Sequence, residues 1–161
     1  MTSSVSSRNA FSLRPAVPDD ANALTALALS SKAYWGYDDA FMKACVAELT
    51  ITPERIANED ITVAEAGGEI AGMVALAQGD SDAVRELEDM FVDPPLIGSG
   101  LGARLMAHAE DIARAQGAAH IDVDADPHAQ GFYEKCGYRL IGSSPSASIS
   151  GRILPRLRLD L

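Results

Sequence analysis

Two carboxylates stand two residues apart, Glu86 and Glu88, in the run Val84-Arg85-Glu86-Leu87-Glu88-Asp89-Met90-Phe91-Val92. On a strand, residues i and i+2 share a face. Buried and unpaired carboxylates would be costly, so the pair is expected to line a wet cleft. There a partly desolvated Glu has a raised pKa, which suits it to taking a proton from an ammonium group. A solvated strand face is the plainer reading, and both stay open at this point. Asp89 points the other way and reads as structural. A glycine cluster follows closely, Gly98-Ser99-Gly100-Leu101-Gly102-Ala103. Where a turn passes into the first turn of a helix, glycines let the backbone approach a ligand, and the free N–H groups attract anions, phosphates above all. The spacing therefore predicts a phosphate-bearing ligand held by backbone amides over Gly98–Ala103.

Other readings of these residues compete. The cluster could be a tight strand-to-helix turn with no ligand. It also fits the dinucleotide pattern G-x-G-x-x-G/A, with Asp122 and Asp124 downstream. That fingerprint normally opens a run of alternating strands and helices. Here it follows a strand-rich half, and little chain remains after Ala103. A third chemistry-bearing stretch, His120-Ile121-Asp122-Val123-Asp124-Ala125-Asp126-Pro127-His128, sets metal-capable side chains at alternate positions. Pro127 breaks their common face and stands where a calcium loop needs Gly, so no metal is expected.

The elements that must position these residues follow from periodicity. Leu101, Leu105, Ala109, Ile112 and Ala113 recur at helical spacing and predict a buried face on a helix that stops at Gly117. Upstream, Phe11–Ala16 reads as a first strand, and Asp19 or Asp20 caps a helix to about Lys32 with Ala21, Leu24, Leu27 and Ala28 inward. The aromatic octet Tyr34–Phe41 leads into a second helix, Asp39–Leu49. Ile61–Ala66 and Glu69–Gln78 flank a hairpin turn at Gly67-Gly68, and Val84–Val92 completes three consecutive antiparallel strands. After Gly117 come a strand at Ala119–Ala125, a short helix at about His128–Cys136, a strand at Tyr138–Ile141, a Ser-rich loop over 142–150 and a last strand, Gly151–Leu161. Trp35 and Tyr37 flank Gly36 at a helix–helix corner. They read equally as cleft-facing walls or as core, whereas Phe41 reads as core.

Composition bounds the rest. The chain has 161 residues, 47% of them hydrophobic, enough for one domain with its own core over residues 11–161 behind a Ser-rich tail at 1–10, expected to be poorly ordered. A net charge of −10 makes nucleic acid or an anionic membrane surface an unfavourable partner and favours amine-bearing, cationic substrates. Two cysteines form no disulfide framework, and no signal peptide or membrane span is read, so a cytoplasmic protein is expected.

Two segments carry a family resemblance. Val92-Asp93-Pro94-Pro95-Leu96-Ile97-Gly98-Ser99-Gly100-Leu101-Gly102 resembles the V-x-P-x-x-[RQ]-G-x-G-x-[GA] signature of the GNAT superfamily of acetyltransferases. Gly131-Phe132-Tyr133-Glu134-Lys135-Cys136-Gly137-Tyr138 resembles its "fYek.GF" motif, in order and at family spacing. The resemblance implies an α/β (α+β) GNAT fold, with a mixed, mostly antiparallel sheet of about seven strands and about four helices. It implies an acetyl-coenzyme A-dependent N-acetyltransferase acting on a primary amine of a small molecule or peptide by direct attack in a ternary complex. A non-catalytic coenzyme A-binding module is the alternative.

The same resemblance assigns roles. Tyr133 would be the acid beside the coenzyme A sulfur, and Glu86 aligns with the catalytic glutamate of the histone-acetylating branch. The main chain of Met90, Phe91 and Val92 would bond the pantetheine arm, and Gly98, Ser99, Gly100, Leu101, Gly102 and Ala103 the pyrophosphate. Asp126 stands where an Asn often contacts pantetheine, and Trp35 and Tyr37 would wall the acceptor pocket. Ile97 departs from the family's Arg or Gln and shifts the pyrophosphate contacts toward backbone amides. Homodimers through sheet edges or last strands also occur among such proteins.

Overall fold

A computed structural model describes residues 10–161; the tail expected at 1–10 lies outside the described residues except for Ala10. Seven strands form one sheet in the order β1-β2-β3-β4-β5-β7-β6. They are β1 (Ser12–Pro15), β2 (Asp60–Ala66), β3 (Glu69–Gln78), β4 (Val84–Val92), β5 (His120–Asp124), β6 (Arg139–Pro145) and β7 (Ile153–Asp160). Five α-helices accompany them: α1 (Ala21–Ala33), α2 (Asp39–Leu49), α3 (Pro53–Asn58), α4 (Leu101–Ala115) and α5 (Gln130–Lys135). The fifth helix, not foreseen above, is α3. Its signal was local: Thr52 accepts from Arg55 N–H and Pro53 opens the first turn.

The sheet's first half is buried on both faces, which is why Ala71–Leu76 carries no polar side chain. Val74 and Leu76 pack under α4 with Leu101, Leu105, Met106 and Ala109, while Met73 and Ala75 pack under α1 with Leu24, Leu27, Ile51 and Ile56. Gly72 lies beneath α4, where a Cβ would stand 3.0 Å from both Leu105 Cδ1 and the Phe91 carbonyl oxygen. The second half differs. β6 continues four residues past Ile141, because Gly142–Pro145 pairs with Arg156–Ile153 of β7; partner geometry overrides weak strand propensity there. Half of the stretch read as a Ser-rich loop is therefore strand.

All strand pairs are antiparallel except β4–β5. That parallel contact covers only Val84–Leu87 against His120–Val123. Past Leu87 the two strands part, and the sheet is open between them. A second irregularity lies opposite this gap: Ala75 pairs with Asp89 and Leu76 with Leu87, so Glu88 is an extra residue, a β-bulge. The split and the bulge together set the site.

Candidate active site

The parted strands form one wall of a cavity of about 540 Å³ that also takes in the glycine turn, the C-terminal end of α1, α2 and α5. This volume suits a small-molecule site.

At one end lies the turn Gly98–Ala103. Gly98 and Gly100 have φ of +86° and +89°, and Gly100 caps α4. A side chain there would be strained, although a Cβ at either position would meet nothing within 4 Å. Ser99 N–H bonds the Leu96 carbonyl, and Leu101 N–H approaches Ser99 Oγ at 3.4 Å. The N–H groups of Gly98, Gly100, Gly102 and Ala103 have no partner among the described residues, and all four residues line the cavity. A cradle of unpaired amides at a helix start, with open space before it, fits a pyrophosphate. Gly102 has a second reason to lack a side chain, since a Cβ would sit 3.1 Å from the Phe132 ring. Ile97 is exposed on the cavity rim.

The parted edge of β4 adds main-chain groups. Asp93 N–H donates to the Ala71 carbonyl. By the two-residue alternation of an antiparallel ladder, Phe91 turns its polar groups to β3, and Met90 and Val92 turn theirs into the gap. Phe91 is thus a correction: its main chain is committed to the sheet, and only its ring reaches the cavity.

The two glutamates are separated by the bulge. Glu86 lines neither this cavity nor its neighbour. It accepts two bonds from Arg156, at 2.7 and 3.1 Å, on the sheet face that also carries Asp122 and Asp124. The expectation that Glu86 and Glu88 share a cleft face fails because the extra residue breaks the alternation. Glu88 lines the main cavity and an adjoining one of about 250 Å³. Its carboxyl makes no hydrogen bond or ion pair with the described residues. Desolvation first, then the charges of Glu59, Glu86 and Asp89, push it up to about 7. The residue is exposed overall, but its carboxyl stands in this crowd of acids. Asp89, read as structural, is buried and paired with Arg55.

Tyr133 is buried in α5 with its ring in the core, and it lines the cavity. Burial pushes its phenol far above the ordinary range, so it stays protonated. Its hydroxyl has no protein partner among the described residues.

Asp126 lines the cavity and also gathers donors from three segments of the chain. Its carboxylate takes Lys32 Nζ at 2.7 Å, the Tyr37 hydroxyl at 2.8 Å, His128 N–H at 2.9 Å and Arg152 Nη2 at 3.4 Å. Burial would raise its pKa, but the bonds from Lys32, His128 and Tyr37 outweigh it and hold the carboxyl well below the usual carboxylate range. An Asn could not balance these cations, which accounts for the departure from the family's residue. Both oxygens of this side chain already accept hydrogen bonds within the protein. Trp35 lines the cavity and stacks on His128, centroids 5.0 Å apart. Tyr37 does not line it. Its ring lies flat on Phe41 at 3.9 Å, behind the wall, and Phe41 belongs to this cluster as much as to the core. Lys32, Arg152 and Glu48 also line the cavity, and no motif assigns them to it.

The metal decoy resolves into a cross-strand ladder. His120 faces Asp160, Asp122 faces Arg158 and Asp124 faces Arg156 across β5 and β7, each pair in contact. Among the described residues no group of three or more His, Cys, Asp or Glu side chains could hold a metal ion, and no helix is long and apolar enough to cross a membrane.

Comparison with known proteins bears on this geometry directly. The sequence profile described as "Acetyltransferase (GNAT) family" matches residues 26–138. The chain belongs to the GNAT acetyltransferase family. The PaiA N-acetyltransferase of Thermoplasma acidophilum, solved with coenzyme A, shares the GNAT fold with a TM-score of 0.79, at 15% identity over 94% of this chain and 99% of that one. Two curated relatives match short segments. Glucosamine 6-phosphate N-acetyltransferase of Trypanosoma brucei brucei is 39% identical over 57 residues, 35% of this chain and 39% of its own length. Blasticidin-S acetyltransferase of Streptomyces morookaense is 45% identical over 58 residues, 35% of this chain and 43% of its own. The chain thus spans about two fifths of the curated relatives it matches.

Proposed function

We propose that this GNAT chain is an acetyl-coenzyme A-dependent N-acetyltransferase acting on the primary amine of a small molecule or peptide, by direct attack in a ternary complex. The observation that carries this reading is the row of unpaired N–H groups at Gly98, Gly100, Gly102 and Ala103, opening on the same cavity as Glu88 and Tyr133.

When bound, acetyl-coenzyme A supplies an activated thioester carbonyl. The glycine-turn amides hold the pyrophosphate, and the N–H groups of Met90 and Val92 bond the pantetheine arm or the thioester oxygen, where charge develops as the amine attacks. Glu88, poised near neutral pH and without a hydrogen-bond partner among the described residues, takes the proton that the amine must lose. As the carbon–nitrogen bond forms and the carbon–sulfur bond breaks, Tyr133 gives its phenolic proton to the leaving sulfur and recovers one from solvent. Glu86 plays no part, being bound to Arg156. Trp35 forms part of the acceptor wall. Two free thiols, Cys45 and Cys136, fit a reducing, cytoplasmic setting.

Thermal unfolding with and without acetyl-coenzyme A, and with free coenzyme A, tests the donor site. A dose-dependent rise of the midpoint with both is expected, followed by thiol release when an amine panel is added. No rise at millimolar ligand overturns the donor site. A rise without turnover of any amine favours the non-catalytic coenzyme A-binding module.

A further inference from the structure

Two cations share one carboxylate in the wall of the cavity. Lys32 and Arg152 both point at Asp126, and their side chains are only 15% and 17% exposed. Arg152 uses one nitrogen: Nη2 donates to the Tyr37 hydroxyl at 2.8 Å, and that hydroxyl donates onward to Asp126. The Nε and Nη1 groups of Arg152 have no partner among the described residues, although the residue lines the cavity. Glu48 lines the same cavity, but its carboxylate accepts from the Ser148 hydroxyl and pairs with neither cation. Both cations stack on the paired rings behind them, with the Arg152 guanidinium 5.2 Å from Tyr37 and 4.9 Å from Phe41. Those rings remove water from one side of the fork and strengthen whatever it binds on the other. Against these two cations stand the carboxylates of Asp126 and Glu48, so the cluster is balanced in charge, and what sets it apart is the fork's free donors.

A half-buried guanidinium with free donors is shaped for a planar or tetrahedral oxyanion. We propose that Lys32 and Arg152 form an oxyanion subsite, so that the acceptor amine also carries a carboxylate or phosphate group. The proposal rests on the acetyltransferase reading for the amine's fate, but the anion's binding stands apart from it. It gives the cavity two acceptor poles: Glu88 for the amine and Arg152 for the acid group. Overall negative charge favours a cationic acceptor; the wall selects one that is cationic at one end and anionic at the other.

The test begins with coenzyme A at saturation, so that the glycine-turn amides are filled, and with chloride fixing ionic strength. Glutarate and inorganic phosphate are then titrated and the unfolding midpoint is read. One of them raises it at millimolar concentration, and the apparent affinity falls at least tenfold in Arg152→Gln. Which anion acts tells carboxylate from phosphate. In turnover, 4-aminobutyrate is compared with butylamine, and 2-aminoethyl phosphate with ethanolamine. The acid-bearing member of one pair is favoured at least tenfold in kcat/KM, and that ratio collapses toward one in Arg152→Gln. Arg152→Lys keeps the charge, loses the fork and gives an intermediate ratio, which serves if the Gln variant does not fold. No midpoint response to either anion, an equal response in Arg152→Gln, or plain amines turned over as well as their acid-bearing partners overturns the subsite. Anion binding without turnover of any amine keeps the subsite and removes the activity reading. Turnover of plain amines without an anion response does the reverse.

Discussion

Around the glycine turn, four unpaired N–H groups come from six consecutive residues, Gly98–Ala103. Around Asp126, the side chains of Lys32, Tyr37, His128 and Arg152 converge from three segments, the bonded pair Tyr37 and Arg152 standing 115 residues apart. Both have members that line one cavity. The first is a backbone device: its chemistry is set by φ angles and a helix start, and almost any side chain outside it can change without loss. The second is a side-chain device whose every member depends on the tertiary fold. A coenzyme common to many proteins can be held by backbone, whereas an acceptor particular to one must be read by side chains. Glu88 and Tyr133 line the cavity that the two devices share, and the substitutions that test the contrast start from them.

The largest effect belongs to the junction. Glu88→Gln should lower kcat by about a thousandfold near neutral pH while leaving the coenzyme A midpoint shift in place. A base must be deprotonated to act, so wild-type kcat/KM rises with pH through about 7, where Glu88 titrates, and the variant loses that limb. An unaltered limb would hand the base's role to water. Tyr133→Phe should cost about a hundredfold in kcat with donor binding little changed, since the hydroxyl makes no hydrogen bond among the described residues. Equal turnover would take Tyr133 out of the chemistry and leave it a core residue.

Next comes the side-chain device. Asp126→Asn strips the one carboxylate that Lys32 and Arg152 share and should cost about 2 kcal/mol of stability, read from denaturant unfolding. The sign in pH follows from its depressed pKa. The stabilisation is complete above the unfolded carboxylate pKa of about 4 and fades as pH falls below it, so wild type and variant converge in acid. Coenzyme A affinity should not move. A matching loss of donor affinity would return Asp126 to the pantetheine.

What could be read in the sequence divides along the same line. The helix from Leu101, the hairpin at Gly67-Gly68 and the strand pattern are local consequences of periodicity and turn chemistry, and they are found where expected. The glycine turn is legible as a turn into a helix because its conformation is written in consecutive residues. Glu86 and Glu88 were misjudged together because alternation holds only for an unbroken ladder, and the bulge at Glu88 depends on how β3 pairs. The acid-rich run at 120–128 resembled a ligand set because its complement lies in β7: Arg156, Arg158 and Asp160 face it residue for residue. No motif joins Lys32 to Arg152, since a cation acquires meaning only from what the fold sets beside it.

The backbone device predicts smaller effects. Gly100→Ala forces a side chain into the left-handed region at φ +89° and should cost about 1–2 kcal/mol, with a reduced coenzyme A shift as the turn distorts.

The smallest expected change is a gain. Ile97 stands 42% exposed on the cavity rim beside the unpaired amides, at the position where the family's signature has Arg or Gln. If backbone amides alone hold the pyrophosphate, Ile97→Arg adds a charge-assisted bond to a site that already works. Solvent at the rim screens that bond, so its worth is about 1 kcal/mol, or roughly a fivefold tighter Kd for coenzyme A by calorimetry. The gain should shrink as salt is raised, because the added term is an exposed ion pair. A much larger gain would mean that the amides are badly placed and that the missing cation had been the main anchor. No gain, with tight binding already present in the wild type, would mean that the four N–H groups saturate the phosphate oxygens.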